Sequence, residues 1–166
     1  MKPSVTPTDA EMELIPYLNP ALAGVLAAIC AWTDLKSMTI YNRHTYPAAV
    51  AGLVYSLATA QYHHLYGALI VFAMYLVLFL IGRGKMGGGD LKLAVAISFF
   101  LGYEAVIYGS LLAGVILLAW GFASTAARSG LRAGVLVAMG RLPGGALPYG
   151  ALLGPLSVMA AILQII

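Results

Sequence analysis

The chain has 166 residues, 61% of them hydrophobic and only 9% charged, with a mean hydropathy of +0.91. A soluble domain carries roughly 25% charged residues, so this chain lacks the polar surface to dissolve, and its length suits a single domain over residues 1–166. One cysteine, Cys30, excludes an internal disulfide and a cysteine-rich zinc site, and a net charge of +3 without a basic stripe excludes a nucleic-acid partner.

A helix needs about 20 apolar residues to cross a hydrocarbon core about 30 Å thick. Met1 to Glu13 carries Lys2 but also Asp9, Glu11 and Glu13, and no basic start runs straight into an apolar core. No cleavable signal peptide is therefore expected, and the first apolar segment stays as an anchor. Six apolar stretches follow: Leu14 to Trp32, Tyr46 to Ala60, Leu65 to Ile81, Leu91 to Gly102, Ala105 to Ala123, and Pro148 to Ile166. Pro16 and Pro20 place the start of regular helix in the first stretch after Asn19. His63 and His64 lie between the second and third, where solvated surface side chains are expected. Between the last two stretches, Leu131 to Met139 reads either as a segment lying along the membrane surface or as a glycine-rich connector. The expectation is an all-α, polytopic membrane helix bundle of about six transmembrane helices, bathed in membrane lipid.

Lys and Arg collect on the cytoplasmic side of such bundles. Lys36 and Arg43 follow the first stretch, Arg83, Lys85 and Lys92 flank the loop after the third, and Arg128, Arg132 and Arg141 follow the fifth. Eight of the nine basic residues thus share one side, which puts both termini outside. Asp9, Glu11, Glu13 and Glu104 fall on the outer side. The two remaining acids, Asp34 and Asp90, fall on the basic side.

A carboxylate at a membrane edge costs free energy unless it is solvated or paired. Either each acid is solvated by itself, or the two share a site. The surroundings of Asp90 favour the second reading: Gly87, Gly88 and Gly89 precede it directly. Three glycines weaken a helix by roughly 1 kcal/mol each relative to alanine, so the helix should begin only at the acid. They also admit a second backbone, as a peptide substrate would require. The fourth stretch, Leu91 to Gly102, spans about 18 Å as a helix, which sets Asp90 below the inner surface, in a recess that must hold water or be lined by protein.

Two carboxylates a few ångströms apart share a proton and can hold a water between them. The ionised acid takes a proton from that water, and the protonated one polarises a peptide carbonyl. Helix ends suggest which is which: Asp90 opens a helix and would be the base, whereas Asp34 closes one and would keep the proton. No metal and no cofactor are needed. The alternative is a small transporter or proton channel using Asp34 and Asp90, but such proteins usually place charges near the bilayer midplane.

These residues resemble a known family. Gly87-Gly88-Gly89-Asp90-Leu91-Lys92 resembles the Gly-x-Gly-Asp-x-Lys signature of type IV prepilin peptidases, which are intramembrane-type aspartic proteases. Asp34-Leu35-Lys36, with Ile40-Tyr41-Asn42 after it, is similar to that family's first motif, with Lys36 and Tyr41 replacing its usual arginine and proline. Pro148-Tyr149-Gly150 resembles its late Pro-Tyr/Phe-Gly-Pro segment. The resemblance implies Asp34 and Asp90 as catalytic residues, with Gly87, Gly88, Gly89, Lys92, Lys36, Asn42, Pro148 and Tyr149 shaping the site or binding substrate. It implies a multi-pass protein of a prokaryotic cytoplasmic (inner) membrane, whose partner is a pilin-like precursor cut at the cytoplasmic face. Longer members also methylate the new N-terminus, using a domain with zinc-binding cysteines. With neither that length nor those cysteines, the sequence resembles the short, peptidase-only form associated with Flp/Tad pili, or the similar archaeal preflagellin peptidases, and it fixes no oligomeric state.

Overall fold

The computed structural model describes residues 9–81, 87–139 and 148–165. It consists of α1 (Asp9–Ser37), α2 (Asn42–Ala58), α3 (Tyr62–Ile81), α4 (Gly88–Ser129), α5 (Leu131–Ala138) and α6 (Tyr149–Ile165). Helices are what an apolar chain in lipid must form, because each then satisfies its own backbone N–H and C=O groups. Among the described residues, three helices are long and apolar enough to cross a membrane: α1 over Leu18–Ser37, α3 and α4. Large apolar side chains such as Trp32, Tyr66, Leu80, Val115 and Leu163 are exposed. A surface of that kind faces lipid rather than water.

α4 is two limbs. A straight helix of its 42 residues would be about 63 Å long, twice the hydrocarbon thickness. At Gly102 the backbone leaves the helical region, with φ 78° and ψ 177°. Contacts with α6 show that the chain turns back there. Gly150, at the start of α6, lies against Asp90, while Ser157 further along lies against Gly109. Ala160 and Ala161, near its end, cluster with Ala105. Residue numbers in α4 thus rise along α6 before Gly102 and fall after it. The fourth and fifth sequence stretches are these two limbs, and the break comes at Gly102, where the fourth was expected to end.

α6 packs between α1 and both limbs of α4, and α3 covers α4 from the other side. Small residues let these backbones approach, as is usual where helices meet in lipid. A methyl on Gly154 would lie 2.9 Å from Ala27 Cβ of α1, and one on Gly109 would collide with Ser157. Val71, Tyr75, Leu93, Ile97 and Leu153 are buried in the core these helices enclose.

Three expectations are corrected. α1 runs through Pro16 and Pro20 instead of starting after Asn19; proline is tolerated in membrane helices where neighbours satisfy the freed backbone. Leu131 to Met139 is not a loose connector. α5 occupies Leu131–Ala138 and folds back on the end of α4, with Gly134 against Phe122 and Ala126. His64 is buried, at 6% exposure, while its neighbour His63 is exposed. The break at Gly102 explains it: carbonyls just before a helix end lose their intrahelical donors. The Phe99 carbonyl accepts Ser56 Oγ at 2.9 Å and lies 3.1 Å from His64 Nδ1.

A side chain at position 102 would have to adopt a left-handed conformation in a buried setting. Gly102→Ala is expected to cost about 1–3 kcal/mol and to lower the thermal unfolding midpoint in detergent. Gly114→Ala, in the same helix with no atom within 4 Å of the added carbon, should leave that midpoint unchanged or raise it.

Candidate active site

Asp34 lies in the last turns of α1, 5% exposed. Its carboxylate faces the start of α6. The first N–H groups of a helix have no partner within it, and α6 turns its own toward this acid. Asp34 Oδ2 accepts the Ala151 N–H at 3.0 Å, and the Gly150 N–H also faces it.

Asp90 reaches the same place from α4. Gly87 is the N-cap, extended at φ −67° and ψ 130°, so the helix begins two residues before the acid rather than at it. Asp90 is then the third helical residue. Its N–H donates to the Gly87 carbonyl at 3.1 Å, and its carboxylate turns back toward the Gly87 N–H. This is the acid's half of a capping box; the glycine cap has no side chain to supply the other half, and a backbone turn takes its place. Capping aims the Asp90 side chain along the helix start, and the Gly150 N–H meets it there.

The two acids converge on Gly150. A carbon added to Gly150 would sit 2.9 Å from Asp34 Oδ2 and 3.1 Å from Asp90 Oδ1, and would collide with Ile40 Cδ1. Oxygens at those distances from one point are no more than about 6 Å apart, the range in which like charges couple. A water or a carbonyl oxygen between them would be within reach of both. Ile40, 9% exposed, forms an apolar wall beside the pair.

Gly89 and Gly87 are needed internally: an added carbon would fall 2.9 Å from Ile40 Cβ at Gly89 and 3.0 Å from Asp90 Oδ2 at Gly87. Only Gly88 has open space around it, so of the three it alone leaves room for a second backbone. Lys92 donates to Asn42 Oδ1 at 2.9 Å and lies 5.0 Å from the centre of the Tyr46 ring. It ties α4 to the start of α2. Lys36 is exposed in the last turn of α1. Pro148 is buried just before α6, and Tyr149 opens that helix. The loop residues Lys85 and Met86 lie outside the described residues.

Sequence reasoning missed Gly150 and Ala151 as donors, although Gly150 stood in the third motif. It also missed Ile40, which stood in the first. The helix-end argument for telling the acids apart does not hold, because Asp34 meets the amino end of α6 just as Asp90 meets that of α4.

The profile of the type IV leader peptidase family matches residues 21–122, a segment that contains both acids. The chain belongs to that family. No match was found among the curated proteins or the solved structures compared with it. In this leader peptidase the family match stops before α6, so the closure of the pair by Gly150 and Ala151 rests on geometry alone. Among the described residues, no three of His, Cys, Asp and Glu group together to hold a metal.

Gly150→Ala is expected to push the two carboxylates and Ile40 apart. Cleavage of a precursor should fall at least about 100-fold, the scale on which misplacement of about 1 Å acts. Gly114→Ala, away from the pair and with nothing within 4 Å of the added methyl, should retain activity within a few-fold in the same gel-shift assay.

Proposed function

We propose that this leader peptidase is an aspartic endopeptidase, with Asp34 and Asp90 as its catalytic pair and a pilin-like precursor as its substrate. The observation that carries the reading is the meeting of both carboxylates at the side-chain-free Gly150. Support also comes from the family, whose members are leader peptidases. A transporter reading finds no such support.

The pair shares one proton and holds the attacking water. The ionised acid accepts a proton from the water as its oxygen bonds to the scissile carbonyl carbon. The protonated acid hydrogen-bonds the carbonyl oxygen, which carries the developing charge. As the C–N bond breaks, a proton passes from an acid to the departing amine, and the pair returns to its shared-proton state. Because the acids titrate as a unit, either can hold the proton at rest. Gly150 and Ala151 keep the two oxygens oriented throughout, and the open side at Gly88 is where the precursor backbone enters. Lys92 and Asn42 hold α2 beside that entrance.

The reading extends to placement. The chain is one membrane-embedded domain with six crossings, the two limbs of α4 counted separately. Both termini lie outside, and the site opens to the cytoplasmic face of a prokaryotic cytoplasmic membrane. Eight basic residues on one side support this. No metal and no methyl transfer enter the proposed reaction.

Asp34→Asn and Asp90→Asn should each abolish precursor processing while the protein still accumulates folded in the membrane. Near-normal processing by either variant, read by gel shift of the precursor, would refute the shared-water mechanism. Processing should also be unchanged in EDTA. Loss of activity that a divalent metal restores would require a different chemistry.

A further inference from the structure

Beside the two acids the core holds a cluster of hydroxyls that the proposed reaction does not use. Tyr75 of α3 is 0% exposed. Its hydroxyl lies 2.6 Å from Ser110 Oγ, on the returning limb of α4, and 3.2 Å from the Tyr149 hydroxyl. Tyr149 shares its hydroxyl hydrogen between the Tyr75 oxygen at 3.2 Å and the Ser110 carbonyl at 3.3 Å, and Ser110 Oγ donates to the Val106 carbonyl at 2.5 Å. Tyr75 then donates its own hydrogen to Ser110 Oγ and accepts from Tyr149, so that its oxygen links the other two side chains.

A phenol buried this deeply costs free energy unless it is hydrogen-bonded. A phenylalanine would fill the same space without that requirement. What the hydroxyl adds is a connection among three elements. Tyr149 is the first residue of α6, and the next two residues carry the N–H groups that face Asp34 and Asp90. Restraining the Tyr149 ring restrains the rotation of that first helical turn. Pro148, buried immediately before it, fixes one backbone torsion on the other side.

We propose that Tyr75, acting through Ser110 and Tyr149, is a positioning residue that holds the Gly150 and Ala151 N–H groups against the catalytic pair. It touches no reacting atom. The inference rests on the aspartic reading above and adds to it a residue from α3, which neither the sequence motifs nor the capping geometry single out.

The test is Tyr75→Phe, which removes one oxygen and keeps the ring. Precursor cleavage should show kcat reduced at least about tenfold, with KM within about twofold of wild type, because misplaced amides affect reaction more than binding. The pH–rate profile should shift, since donors to the acids have moved. Ser110→Ala, which takes away the acceptor of the Tyr75 hydrogen, should give the same changes. The double variant should be little worse than either single one, because the residues act as one unit. Wild-type kcat and pH profile in both single variants, even with a lowered unfolding midpoint, would leave Tyr75 a packing residue and overturn the proposal. Asp90→Asn in the same assay separates the two levels of argument. If it is inactive and Tyr75→Phe behaves as wild type, only the positioning role fails; if it cleaves, the aspartic reading fails and takes this role with it.

Discussion

No side chain fits at position 150. The backbone there is held between Ile40 and two carboxylates that arrive from different helices, and the rest of the arrangement follows from keeping that contact. Two like charges would separate if nothing held them. Here each is drawn to the amino end of α6, where free N–H groups and the partial positive charge of the terminus favour negative oxygens. The attraction that holds each acid also brings the acids together.

Building such a point inside an apolar bundle constrains the fold. α6 must present its amino end to α1 and α4 at once, so it lies between them, with Gly154 packed against Ala27 and Gly109 against Ser157. α4 must deliver Asp90 at one level and Ser110 beside Tyr149, which a straight helix cannot do. The reversal at Gly102 solves this, and its orphaned carbonyl at Phe99 is satisfied by Ser56 and by a histidine taken out of solvent. Ser56 and His64 are thus buried where they repair the backbone break, and Tyr75 is buried beside the acids.

Much of this was legible in the sequence because lipid imposes a simple rule on composition. Apolar stretches separated by charged loops gave the helices, and the glycine run before Asp90 marked a special helix start. What stayed hidden depends on packing. Gly150 reads as one more glycine until two carboxylates are found against it. His64 reads as a loop residue because a helix break 38 positions later, at Gly102, is what buries it. Pro16 and Pro20 read as breakers because propensity in water says nothing of neighbours in a bundle. Tyr75 looks like any aromatic in an apolar stretch, since a hydrogen bond to Ser110, 35 residues away, has no local signature.

The central claim is that Asp34 and Asp90 form one site, and coupling between their titrations tests it most directly. Isotope-labelled aspartate, with Asp9 replaced by Asn, allows the carboxyl infrared bands to be followed across pH in the wild-type pair and in each Asp→Asn variant. Acids within about 6 Å of each other must interact, so neutralising either one should move the titration of the other. Two carboxyl groups that titrate identically whether or not the partner is present would contradict the account.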